Sequence, residues 1–199
     1  MFGKAQGQEK QGSAAKQKTL HSIAAIQRAR KFEGSFEVGN VKYNFSYSPK
    51  RAALYANKLQ LVGTFNVSGP GERSSRNVND VKATLLAIQG GIGTPPQREK
   101  MPSDISTRHP DLPIVESTGS ISFSGVLFFK LSSIDSRALG VSTDMSQVQL
   151  NVRLAPVSDT ERALQAAFSS LADALYGKEI DSKWAESALS DLNKLLSAN

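Results

Sequence analysis

From Phe36 onward the chain alternates between apolar and polar positions. Phe36 and Val38, and after Gly39-Asn40 the series Val41, Tyr43, Phe45 and Tyr47, are separated by Glu37, Lys42, Asn44, Ser46 and Ser48. A period of two interrupted by Gly-Asn predicts a β-hairpin with one buried face. Leu59, Leu61, Gly63, Phe65 and Val67 extend the alternation into another strand, which Ser68-Gly69-Pro70-Gly71 ends. A further strand is predicted over 81–88, stopped by Gly90-Gly91, and strands resume over 119–131 and 145–157. Between them, the stretch 89–116 holds Pro95, Pro96, Pro102, Pro110 and Pro113. Proline at that density excludes a helix interior and a central strand. A connection of this length is uncommon in a compact domain and points to a functional loop or one laid on a partner.

The two ends of the chain follow a different period. Residues 1–18 consist largely of Gly, Gln, Lys, Ala and Ser with Phe2 as their one large aromatic, too little apolar surface to order themselves. Over 19–32, Leu20, Ile23, Ala24 and Gln27 share one helical face, Thr19 can cap it, and Arg28, Arg30 and Lys31 cluster at its C-terminal end, which predicts a short basic amphipathic helix. At the C-terminus, Ser158 followed by Glu161 reads as a capping box, Leu164, Ala167, Phe168, Leu171 and Leu175 form an apolar stripe, and Gly177 ends it. Asp181 or Ser182 starts a second helix with Trp184, Ala188, Leu192, Leu195 and Leu196 on one face. The short link makes the pair a helical hairpin whose stripes must dock on the sheet or on another subunit.

These elements predict a mainly β protein: an antiparallel β-sandwich or barrel over 33–157, a two-helix hairpin over 158–199, and a basic N-terminal arm with a short amphipathic helix over 1–32. Displacing the sequence by 85 residues lays Gly34-Ser35 on Gly119-Ser120, Val41 on Val126, Tyr43 on Phe128 and Arg51-Ala52 near Arg137-Ala138. Such a match suggests an internal duplication of a three-strand unit, each copy a hairpin, a crossing segment containing Arg-Ala and a return strand. Chance alignment of two alternating patterns produces the same result, so both explanations stand.

Charge changes this picture by its location. The 199 residues carry 24 Lys+Arg against 18 Asp+Glu, a net of +6. Residues 1–32 alone contribute +6, residues 33–156 contribute +3 and residues 157–199 contribute −3. The basic character therefore belongs to an arm, with Lys4, Lys10, Lys16, Lys18, Arg28, Arg30 and Lys31 as the candidate partner-binding residues, and the β-body is no nucleic-acid platform by itself. The chain has no cysteine, which removes disulfides, thiolate metal sites and thiol nucleophiles. No apolar run is long enough to span a bilayer and no secretory-signal core is visible, so the expectation is a soluble or peripherally membrane-associated chain.

Candidate chemistry is sparse. His21 and His109 are far apart in sequence and no metal-ligand spacing surrounds either. His109 lies in Arg108-His109-Pro110-Asp111 beside Asp104, but nothing nearby supplies a nucleophile elbow or oxyanion hole. Gly69, Gly71, Arg73, Ser74 and Arg76 are the materials of an anion nest, although a strand-connecting turn uses the same residues. Asn44-Phe45-Ser46 and Asn66-Val67-Ser68 match the N-glycosylation acceptor pattern. The strand aromatics fill a core or line a cavity.

No catalytic residue, cofactor or metal follows from this set. The leading expectation is a non-catalytic structural or accessory subunit of a larger assembly, docked on other protein subunits through the basic arm and the proline-rich loop 89–116. An anionic membrane surface or nucleic acid could equally meet the arm, the latter as in a coat-type protein. The alternatives are a β-barrel holding a small apolar ligand such as a lipid or pigment, and a hydrolase or transferase centred on Asp104, Arg108, His109 and Asp111.

Overall fold

The structure, a computed structural model, describes residues 19–70, 75–89, 125–154, 156–176 and 180–198. Seven strands, β1 (Ser22–Arg28), β2 (Lys31–Val38), β3 (Val41–Tyr55), β4 (Lys58–Ser68), β5 (Arg76–Gln89), β6 (Gly125–Leu131) and β7 (Gln149–Leu154), close into a barrel in sequence order. Two helices, α1 (Asp159–Tyr176) and α2 (Ser182–Ser197), follow and pack on one another. Every consecutive strand pair is antiparallel. An odd number of alternating strands returns the last to the direction of the first. The closing pair is accordingly parallel, with Ser22 opposite Gln149 and Ile26 opposite Arg153, and the barrel is mixed where the sequence suggested an antiparallel one.

The largest departure from the sequence reading lies in residues 19–32. The expected amphipathic helix is instead β1 and the start of β2, so the β-domain begins at Ser22 and not at residue 33. Ile23, Ala25 and Gln27 point inward and Ala24 and Ile26 outward, a period of two that adjacent alanines conceal. A helix here would leave β2 and β7 as open edges with unpaired backbone groups, a cost that local helix propensity does not offset.

The other strands fall where the alternation placed them. Gly39-Asn40 joins β2 to β3, and Ala56-Asn57, with φ of 48° and 57°, joins β3 to β4 in a two-residue turn of the kind that matches strand twist. The ladders shift at Pro49/Arg51, Gly63/Phe65 and Leu85/Ala87, which bends the long strands around the barrel. Pro49 sits at such a shift, where a missing N–H breaks no regular ladder bond. The proposed duplication is matched by β3–β4 and β6–β7 both being antiparallel pairs, but Arg51–Leu54 continue β3 whereas Arg137–Leu139 form a turn. The equivalence of the two crossing segments is therefore lost. Residues 90–124, which contain the proline-rich stretch, and Gly177 lie outside the described residues.

Side chains occupy the barrel interior throughout. Toward the end where β1 turns into β2, Phe32 stacks on Tyr47 and Phe129 with ring centroids 6.0 and 5.8 Å apart, and Phe168 of α1 approaches Phe32 at 6.3 Å. Farther along, Phe36, Tyr43, Phe45 and Phe65 form a second aromatic chain. The Tyr47 hydroxyl donates to Val81 O at 2.9 Å, and burial pushes its phenol well above the ordinary range. Helix α1 seals the end marked by Phe168, while the connection 132–148 folds over the other with Ile134, Leu139, Val141 and Met145 buried. The helix signals hold as well: Glu161 N donates to Ser158 Oγ at 3.2 Å, Ser158 N returns to Glu161 Oε2 at 3.0 Å, and Trp184 N donates to Asp181 at 2.9 Å.

Close packing admits no side chain at Gly34, where a Cβ would fall 2.8 Å from Phe45 Cε1 and collide with Ala24 O. The Gly34→Ala variant is expected to lose about 3 kcal/mol through overpacking, and Gly39→Ala, at a left-handed turn position with open space around it, considerably less. Chemical denaturation of the two variants side by side measures this, and equal stability would contradict the packing account.

Candidate functional site: a polar groove on the barrel wall

Three of the seven predicted cationic residues fall among the described residues. Lys4, Lys10, Lys16 and Lys18 lie outside the described residues, whereas Arg28, Arg30 and Lys31 flank the β1–β2 turn beside the helical hairpin. There Arg30 Nε donates to Leu195 O at 2.8 Å, placing a cation on the carbonyl end of α2. Ala29, in the left-handed region at φ 48°, donates its N–H to Glu161 Oε1 at 2.8 Å. Asn193 adds a two-way clamp, accepting from Ala52 N at 2.7 Å and donating to Ala52 O at 3.0 Å. Arg30 is thus engaged within the chain, and Arg28 contributes its field to Glu161.

Glu161 is the centre of that junction. Burial by itself raises its carboxyl pKa, but the N–H groups of Ala29, Val157 and Ser158 and the positive charge of Arg28 outweigh it and hold the group below the usual glutamate value. One side chain therefore caps α1 and ties it to the β1–β2 turn 132 residues away in sequence.

Of the anion-nest residues, Gly71, Arg73 and Ser74 lie outside the described residues, and Gly69 and Arg76 stand at either side of the β4–β5 connection. The Arg76 guanidinium packs on Gly140, whose φ of 67° and missing side chain make the room. It lies against the 136–140 turn at Gly140.

What the fold does bring together is a groove of about 550 Å³ across the outer faces of β2, β3 and β4. Lys31 and Glu33 line it from β2, Asn44 and Ser46 from β3, Asn66 and Ser68 from β4, with Ser75 just before β5. The two Asn-x-Ser tripeptides noted in the sequence run antiparallel and in reciprocal register, Asn44 opposite Ser68 and Ser46 opposite Asn66. Their central residues, Phe45 and Val67, point into the core, so the polar pairs necessarily point out. Asn66 Nδ2 donates to Ser46 Oγ at 3.4 Å. Except for Lys31, none of the groove side chains was singled out from sequence as a site. The repeated Asn-x-Ser pattern was the available signal, but only the strand register makes it one surface.

Among the described residues the groove contains one cation, one carboxylate and five neutral amide or hydroxyl side chains, which can exchange hydrogen bonds. Among the described residues no cluster of three or more His, Asp or Glu is arranged to hold a metal ion, and no helix is long and apolar enough to cross a membrane. His21 is exposed beside Asp144, and His109 lies outside the described residues. A comparison of the chain with known protein families, curated proteins and solved structures finds no match.

Glu161→Gln is expected to lower stability at neutral pH and to narrow its deficit in acid. The wild-type carboxylate, with its depressed folded-state pKa, contributes stability above the ordinary glutamate range and loses it as pH falls through the folded value, whereas glutamine does not titrate. Thermal unfolding of both proteins across the acid range checks this, and a deficit independent of pH would show that the charge is not what holds the junction.

Proposed function

We propose that this protein is a non-catalytic accessory subunit of a larger assembly, held there through its exterior and its N-terminal basic segment. The observation that carries this reading is a barrel filled with its own side chains and sealed at both ends. Phe32, Tyr47, Phe65, Phe129 and Phe168 are each fully or almost fully buried within it. A lipid or pigment inside the barrel would need that volume, so the filled interior favours docking over internal ligand binding.

The exterior supports the same reading. Tyr55, Val157, Ile180 and Trp184 keep 72%, 56%, 51% and 45% of their surface exposed, all at the helical end of the barrel. Because Arg30 serves the α2 terminus, the positive charge available to a partner rests chiefly on Lys4, Lys10, Lys16 and Lys18. Those lysines suit an acidic protein surface, and the same charge would serve a coat-type contact with nucleic acid.

The fold also dictates where the test deletion must stop. Removing residues 1–18 leaves β1 in place, whereas removing residues 1–32 takes out the closing strand. The 1–18 deletion is expected to retain the circular dichroism and cooperative melting of the full chain but to leave its native complex, running as a free subunit on native gels of host extracts. The 1–32 deletion is expected to lose cooperative melting. Identical migration of the full chain and the 1–18 deletion would overturn arm-mediated docking.

A further inference from the structure

We propose that the groove across β2, β3 and β4 binds a neutral polyhydroxylated ligand, a short saccharide chain, through Asn44, Ser46, Asn66 and Ser68. This does not rest on the assembly reading, since Asn44, Ser46, Asn66 and Ser68 all lie outside the arm and only Lys31 of the groove belongs to it. The electrostatics exclude the commoner ligand classes one by one. Among the described residues a polyanion would meet a single lysine, Lys31, with Glu33 next to it on the same strand face. A divalent cation would find one carboxylate among them. An apolar ligand would find little to cover, because Phe45 and Val67 are only 4% and 1% exposed. An extended peptide cannot join by strand addition, because β2, β3 and β4 each have partners on both sides in a closed barrel.

The groove chemistry is that of side chains which both donate and accept. Serine hydroxyls and asparagine amides do so, and each sugar hydroxyl does the same, so facing Asn/Ser pairs can satisfy neighbouring hydroxyls of a ring without leaving a charge unpaired. Glu33 adds an acceptor and Lys31 a donor along the β2 side. The Asn66–Ser46 hydrogen bond joins one pair across the strands before any ligand arrives. All four side chains stand on paired strands, which hold them more rigidly than a loop would. The volume of about 550 Å³ is that of a small-molecule site.

The test is a titration of the ¹⁵N-labelled full chain with maltotriose, cellotriose, mannotriose and triacetylchitotriose, beside inorganic phosphate, oligothymidylate and triglycine. At least one trisaccharide is expected to shift the backbone signals of Ser46 and Ser68 saturably at millimolar concentration. The Asn44→Ala/Asn66→Ala variant, and independently Ser68→Ala, are expected to weaken that binding about tenfold or more, with the remaining spectrum unchanged as the check on folding. The proposal is overturned if no trisaccharide shifts those signals, if only phosphate, oligothymidylate or triglycine does, or if binding is unaltered in both variants.

Discussion

The parallel ladder between β1 and β7 is the constraint on which the rest of the molecule depends. Six antiparallel connections around seven strands leave two edges that run in the same direction. Only parallel pairing satisfies their backbone groups without a further strand. Once β1 is a strand, its turn into β2 lies at the end of the barrel that α1 must seal, and the turn becomes an anchor. Ala29 presents its N–H to Glu161 and Arg30 reaches the α2 terminus. Barrel closure and helix docking are therefore one event seen at two places.

This arrangement reinterprets the charge asymmetry of the chain. By position, a cationic N-terminal region and an acidic C-terminal region invite a search for separate partners. In the folded chain they meet in part: Arg28 acts on Glu161, and Arg30 acts on the helix whose carbonyl end it caps. Beside them the Ala29 N–H donates to Glu161, so that the junction joins part-buried hydrogen bonds to the charge interaction.

Filling the barrel with apolar side chains also leaves the polar ones on the outside. Buried aromatic side chains come from four strands, β2, β3, β4 and β6, and from α1, and the convergent polar chemistry among the described residues is on the wall. The groove exists because the core demands Phe45 and Val67 on the inner face of neighbouring strands. Their polar neighbours are then displayed together by geometry alone.

The hairpin from β2 to β3, strand positions for β4 to β7, the helix caps at Ser158 and Asp181, and the inward faces of β2 to β4 were legible in the sequence alone. These follow from period and capping, which are local and need no knowledge of partners. The sequence did not determine β1, since Ser22–Arg28, with adjacent alanines, suits a helix or a strand and the choice falls to edges supplied by residues far away. Nor did it reveal the groove, though Asn44, Ser46, Asn66 and Ser68 were all in view. Whether Asn44 faces Ser68 or some other residue is a matter of register, which the buried faces of both strands and the turn between them settle only when the barrel closes.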